Sequence, residues 1–178
     1  MSPSVFTVYN FVAYQLAWFA VVVGAAQDYA WAGAAVALLV AAVHLWLRRD
    51  IFELKLMGLA AAIGMLVDST LAMTGQVHFN SAGPDLAPYW MVSLWIAFAT
   101  TLNHSLRWLM CRPVAAALAG AIGGPLAYLA GARLGALTLA TPAITLSLIA
   151  FLWMLAMVTF SMTVMRAERR SEEERLPA

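Results

Sequence analysis

Six long apolar segments, separated by short polar stretches, account for most of this 178-residue sequence. A segment of about 17 to 25 apolar residues is long enough to cross the hydrocarbon core of a bilayer as a helix. The predicted spans are Phe6–Ala26, Trp31–Leu47, Leu54–Met73, Pro88–Leu109, Pro113–Ala132 and Pro142–Met165. Only 11% of the residues are charged, against about 25% in a soluble domain. The sequence therefore predicts an all-α, polytopic integral membrane protein, a compact bundle of about six transmembrane helices.

The basic residues are distributed unevenly between the two sides of this bundle. Three lie in the loop after the second span, two in the turn after the fourth and four in the tail, whereas only Arg133 lies on the other side. Because loops rich in lysine and arginine stay in the cytoplasm, both termini are predicted to be cytoplasmic. We expect a multi-pass protein of the bacterial inner membrane. It would have one transmembrane domain, residues 1–165, and a charged cytoplasmic tail, residues 166–178.

The fourth predicted span carries an unusual run of polar residues near its end. On a helical wheel, one arc of about 100° contains the polar side chains, namely Ser93, Thr100, Asn103, His104 and Arg107. The opposite side, which is predicted to face lipid, carries Met91, Trp95, Phe98, Leu102 and Leu109. A polar stripe inside a membrane is expensive unless it faces the bundle interior or a wet cavity.

Three more polar residues lie within the other spans. Asp68 shares a face of the third span with small residues, including Gly64 and Ala72, so this face is predicted to pack against other helices. His44 and Asn10 belong to the cytoplasmic half of the second and first spans. The predicted ligand-binding residues are Asp68, Asn103, His104, Arg107, His44 and Asn10, with Asp68 at the deeper end of the cavity.

A structural explanation of the same residues stays open. Asn and His side chains also form hydrogen bonds between helices, which contribute about 0.6 kcal/mol each. The Arg107 side chain would then simply reach toward the membrane interface.

The fifth predicted span carries a repeat of small residues and an internal proline. Gly123, Ala127, Gly131 and Gly135 recur every four residues and predict tight helix packing. Pro125 removes a backbone hydrogen bond, so the stretch "GGP" is predicted to kink the helix. Such a kink is compatible with either tight packing or a moving element.

The sequence contains no recognisable catalytic motif, so catalytic residues cannot be assigned and an enzyme is not favoured. It identifies no cofactor. Its single cysteine, Cys111, and three scattered histidines form no motif with metal-ligand spacing, and no metal site is predicted. The predicted depths of His44, Asp68 and His104 also argue against a shared metal. The formal net charge of +1 gives no indication of nucleic-acid binding.

Four stretches resemble an uncharacterised family of bacterial inner-membrane proteins, domain-of-unknown-function family 2878. They are "NFVAYQLAWFA", "LVDSTLA", "APYWMVSLWIAFATTLNHSLRWL" and "GAIGGPLAYLAGARLGA". The resemblance implies a compact helical membrane protein and a link to the modification of membrane fatty acids. It brings no established activity or site residues.

Three functions are compatible with these observations. The polar pocket would bind a lipid or another amphipathic small molecule, or the protein would be a small proton- or cation-coupled permease that uses Asp68. As a third function, the protein would be a structural scaffold for membrane enzymes. The expected partners are the lipid bilayer, such a ligand, and either another membrane protein or a second copy of the chain.

Overall fold

The computed structural model describes residues 3–81, Gly83 and residues 85–173. Within these residues the chain forms seven helices and one two-stranded antiparallel sheet. In chain order the elements are α1 (Pro3–Ala26), α2 (Ala30–Arg48), α3 (Ile51–Met73), β1 (Val77–Phe79), α4 (Tyr89–Leu102), α5 (Arg107–Met110), α6 (Pro113–Leu134), β2 (Leu137–Leu139) and α7 (Pro142–Glu173).

Five of the helices, α1, α2, α3, α6 and α7, are long and apolar enough to cross a membrane. The sixth apolar helix, α4, has only 14 residues and is about 21 Å long at a rise of 1.5 Å per residue. The predicted all-α, polytopic bundle is therefore confirmed, with α4 as a short helix in the place of the fourth span.

The α4 helix lies in the interior of the bundle. It packs against α1, α2 and α3, and its aromatic side chains reach α7, where the Trp95 and Trp153 rings stack with centroids 4.5 Å apart. The side predicted to face lipid is buried, because all five of its residues are less than 10% exposed. The lipid-facing assignment was therefore wrong. The polar Ser93 and Thr100 hydroxyls instead bond backbone carbonyls one turn earlier in the same helix.

The helices α6 and α7 form an extensive antiparallel pair. A Cβ atom at Gly124 would lie 2.3 Å from Cγ of Trp153, so only glycine permits this approach. A Cβ atom at Gly120 would lie 2.6 Å from the Trp153 carbonyl oxygen, whereas one at Gly123 would meet open space. The packed face therefore contains Gly120 and Gly124 rather than Gly123, and α6 continues as one helix across Pro125.

Two loops meet at one end of the bundle, which we call the hairpin end, through β1 and β2. The pairs are Val77 with Leu139, His78 with Thr138, and Phe79 with Leu137. Gln76, which precedes β1, bonds the Thr145 hydroxyl at the start of α7 with its side chain. This small sheet lies in segments that the sequence predicted as loops.

The opposite end, which we call the basic end, holds the end of α2, the start of α3 and the end of α7. The last helix continues past the predicted membrane boundary and is described as far as Glu173. The first part of the predicted tail is therefore helical, and residues 174–178 lie outside the described part of the chain.

Candidate functional site

A buried polar cluster, formed by Asn10, His44, Glu53, Asn103 and His104, lies at the basic end. Its members come from α1, α2, α3 and the turn that follows α4. Asn10, His44 and Glu53 are at most 2% exposed, and the His104 side chain is 9% exposed. The bundle thus encloses a set of polar groups that are far apart in the sequence.

The tight connection between α2 and α3 brings Glu53 to His44. Arg49 caps α2 in the left-handed region, at φ 50°, and its N–H bonds the carbonyl of Leu45. Asp50 caps α3 by accepting a 2.8 Å hydrogen bond from the N–H of Phe52. The chain therefore reverses within two residues. Glu53 then lies in the first turn of α3, where the helix dipole favours a negative charge.

Three side chains bond the Glu53 carboxylate. Its Oε2 atom lies 3.2 Å from Nε2 of His44, and its Oε1 atom lies 2.9 Å from Nε2 of His104. Asn103 donates to Oε1 from its amide nitrogen, also at 2.9 Å. A buried carboxylate is costly unless it is paired and hydrogen-bonded. Both oxygens of Glu53 meet this condition.

Asn10 links the cluster to the break that ends α4. Its amide nitrogen donates to the Thr100 carbonyl at 3.0 Å and lies 3.5 Å from Nδ1 of His44. Its oxygen accepts a 2.7 Å hydrogen bond from the Ser105 hydroxyl. The predicted continuous span Pro88–Leu109 is therefore wrong, because α4 ends at Leu102 and residues 103–106 form turns. The turn residues bond side chains of α1 and α3, since Ser105 bonds Asn10, and Asn103 and His104 bond Glu53.

A cavity of about 480 Å³ lies beside the cluster and is open at its edge. It is lined by Phe6, Thr7, Leu47, Arg48, Asn103, His104 and Arg107. The guanidinium carbon of Arg48 lies 5.0 Å from the centroid of the Phe6 ring. A wider cavity of about 870 Å³ shares Arg48, Asn103 and Arg107 and adds Lys55 and Arg166. The smaller cavity thus has a cationic wall, whereas the wall of the wider one also includes the carboxylates of Asp50, Glu168 and Glu172.

Arg107 does not belong to the buried polar cluster. It begins the separate short helix α5, and its guanidinium bonds Oε1 of Glu168 on α7 at 2.7 Å. Its side chain is 58% exposed. The single polar arc drawn through Asn103, His104 and Arg107 is therefore wrong, since the turn separates Arg107 from α4. Arg107 and His104 nevertheless line the same cavity.

Asp68 lies in a different part of the interior. Its Oδ2 atom accepts a 2.9 Å hydrogen bond from the indole nitrogen of Trp95, and Oδ1 accepts from the Tyr128 hydroxyl. It is fully buried, and it does not line the cavity beside His104. The structure therefore does not place Asp68 at the deeper end of that cavity.

Three members of the cluster have the donor atoms of a metal site. One atom each from His44, Glu53 and His104 can be chosen so that all three lie within 4.8 Å of one another. Two imidazoles and a carboxylate form a ligand set that divalent transition metals accept. The sequence predicted no metal site because the three residues lie on separate elements, without a spacing motif.

Comparison with protein families matches residues 7–159 to a family described as "Protein of unknown function (DUF2878)". The match covers most of the chain. This protein belongs to the DUF2878 family. No curated protein and no solved structure matches it.

One central residue of the cluster in this DUF2878 family member, Glu53, was not predicted from the sequence. We assigned the stretch "RRDIFE" to a loop, although Asp50 is a good N-cap residue and Glu53 follows it by three positions. That spacing is the signal that could have moved the start of α3 back to Ile51. The helix would then have placed a carboxylate one turn inside the membrane edge.

Proposed function

We propose that this protein binds an anionic amphipathic molecule, such as a fatty acid or an acidic lipid, in the cavity at the basic end. The observation that carries this proposal is the cavity wall. Arg48 supplies positive charge, and Arg107 supplies a second guanidinium, which is also paired with Glu168. Asn103 and His104 supply hydrogen-bonding groups, and Phe6 supplies apolar surface. Guanidinium groups bond carboxylates and phosphates in a two-pronged geometry.

The position of the cavity suits a molecule with a charged head and an apolar tail. It lies beside the start of α1 and the end of α2, whose outer surfaces carry exposed apolar side chains such as Val5 and Trp46. An anionic head held by the arginines would stay near water, while its tail would follow this apolar surface. Both parts would then have favourable surroundings.

The permease hypothesis from the sequence depends on Asp68. Both carboxyl oxygens of Asp68 bond aromatic side chains, Trp95 and Tyr128, in the interior. This arrangement favours a structural role for Asp68, so we retain lipid binding as the proposal.

Binding of anionic lipid to the purified protein tests the proposal. A spin-labelled or fluorescent fatty acid and an anionic phospholipid would be titrated in micelles of a neutral detergent. We expect Arg48→Gln and Arg107→Gln each to weaken binding about tenfold or more, because a hydrogen bond to a charged group contributes about 1.5–3 kcal/mol.

The matched control is Arg49→Gln. Arg49 carries the same charge at the same end, but it lines neither cavity. The proposal is wrong if the wild-type protein binds neutral and anionic lipids equally, or if Arg49→Gln weakens binding as much as Arg48→Gln does.

A further inference from the structure

We propose that His44, Glu53 and His104 form a binding site for a divalent first-row transition-metal ion. This site goes beyond the proposed lipid binding and does not depend on it. The relevant donor atoms are already close together, with His44 Nε2 and His104 Nε2 lying 3.2 Å and 2.9 Å from the two oxygens of Glu53. Ligand atoms around a tetrahedral zinc ion lie roughly 3.3 Å apart, given metal–ligand distances of about 2.0–2.1 Å. Those two distances involve different oxygens of Glu53. One atom from each side chain can be chosen so that all three lie within 4.8 Å of one another, so the side chains must draw closer together to hold one ion.

The surroundings hold the three ligands in place. His44 lies near the end of α2, Glu53 lies in the first turn of α3, and His104 lies in the turn after α4. Asn103 bonds the same carboxylate oxygen as His104 and thereby orients Glu53. Groups that orient ligands in this way commonly strengthen metal binding.

The position of the proton on each imidazole ring determines whether its Nε2 atom can bind an ion. Hydrogen bonds from both rings to an ionised Glu53 require a proton on each Nε2 atom. An ion needs the lone pairs of both Nε2 atoms, so the proton of each neutral ring must lie on Nδ1 instead. On His44 this nitrogen faces the Asn10 amide at 3.5 Å, the longest of the hydrogen bonds within the cluster. Asn10 would then have to turn its oxygen toward the ring, giving up its bond to the Thr100 carbonyl and the bond that it accepts from the Ser105 hydroxyl.

The ion would reach the site from the basic end. His104 and Asn103 both touch Glu53 and both line the 480 Å³ cavity. Three protein ligands leave at least one coordination position free, as in zinc sites that bind a water or a substrate. The free position would face the cavity.

The experiment measures metal retained by the full-length protein in detergent. The protein is stripped with EDTA, incubated with Zn²⁺ or Co²⁺ and desalted, and the retained metal is counted by mass spectrometry. We expect a single ion per chain and visible Co²⁺ absorption bands of a nitrogen- and oxygen-ligated site. His104→Gln should lower retention at least tenfold.

Two control variants show whether loss of the metal is specific to substitutions at the three ligands. His78→Gln alters an exposed histidine on β1, and it should retain the ion. Arg48→Gln should also retain it, so that failure of lipid binding and failure of metal binding are distinguishable. Only variants that elute as a single folded species by gel filtration are compared.

The wild-type protein alone can also decide the question. X-ray absorption at the zinc edge should show two imidazole ligands per ion. The proposal is overturned if the folded wild-type protein retains no metal after desalting, which would leave a hydrogen-bonded cluster only. It is also overturned if folded His104→Gln retains as much metal as the wild type, or if His78→Gln loses it equally.

Discussion

The indole nitrogen of Trp95 on α4 donates a 2.9 Å hydrogen bond to Oδ2 of Asp68 on α3, in the interior of the bundle. The two helices approach closely here, because Gly64 of α3 has no side chain where the indole ring lies. The pair thus joins the enclosed helix α4 to its neighbour.

Replacing Trp95 with phenylalanine removes this donor and leaves the Asp68 oxygen buried without it. We expect the free energy of unfolding to fall by about 1–3 kcal/mol, measured by thermal or denaturant unfolding in micelles. Trp108→Phe is the control, because Trp108 is 61% exposed. Equal stability of the two variants would show that the bond to Asp68 contributes nothing.

Two adjacent glycines of α6 should respond oppositely to alanine. Gly124→Ala places a methyl group against Trp153, and overpacking of this kind costs about 1–3 kcal/mol. Gly123→Ala meets open space and should leave the protein as stable or more stable, because alanine favours a helix over glycine by about 1 kcal/mol. Unfolding of both variants in the same detergent checks the difference. The packing described for α6 and α7 is wrong if Gly123→Ala is the more harmful change.

The pairing of β1 with β2 can be tested by a disulfide. His78 and Thr138 are paired in the sheet, and paired strand residues have Cα atoms about 4.5–5.5 Å apart, which suits a disulfide. In a Cys111→Ser background, His78→Cys with Thr138→Cys should oxidise to an internal bridge, seen as a mobility shift that a reductant reverses. Either cysteine alone should give no shift. Failure of the double variant to oxidise in a folded protein would contradict this register.

Cys111, between α5 and α6, can report the orientation of the basic end. It is exposed, so a membrane-impermeant maleimide should label it in inverted membrane vesicles and not in intact cells. Labelling of intact cells would reverse the predicted orientation.

The same thiol should label slowly near neutral pH. Partial burial and the Glu168 carboxylate raise the pKa of Cys111 above its usual value. Since the thiolate is the reacting form, a raised pKa lowers the reactive fraction at a given pH, and the rate should increase with pH. Glu168→Gln lowers the pKa and should speed labelling at pH 7.5, whereas Glu172→Gln should change it little. Equal rates for both variants would rule out the effect of Glu168.

The approximate bounds of α1, α2, α3 and α6 could be predicted from the sequence, because the apolar character of a span is a local property, whereas the end of α4 at Leu102 could not. The burial of α4 in the interior of the bundle could not be predicted. A helical wheel gives the angle between residues but not the direction of the lipid, and large apolar residues such as Trp95 and Phe98 suit both lipid and a protein interior. The three-residue strands were missed because the alternation of apolar and polar residues in "VHF" and "LTL" is too short to indicate a strand, which needs about four to eight residues.

The candidate site could be predicted only in part. The sequence grouped Asn10, His44, Asn103 and His104 in one half of the membrane, and the structure brings these side chains together. It could not show that Glu53 lies among them, since this depends on where α3 begins. It also could not separate Arg107 from the cluster, because the break after Leu102 depends on partners in other helices.

The distance in sequence between β1 and β2 imposes an order on the assembly of the protein during synthesis. β1 leaves the ribosome before α4, whereas β2 follows α6. The three residue pairs of the sheet can therefore form only after six of the helices have been made. Until then Val77 and Phe79, which are buried in the finished fold, lack their partners. A nascent chain halted before Leu137 would hold its helices without this closing contact, and protease access to the loop after α3 would reveal that unfinished state.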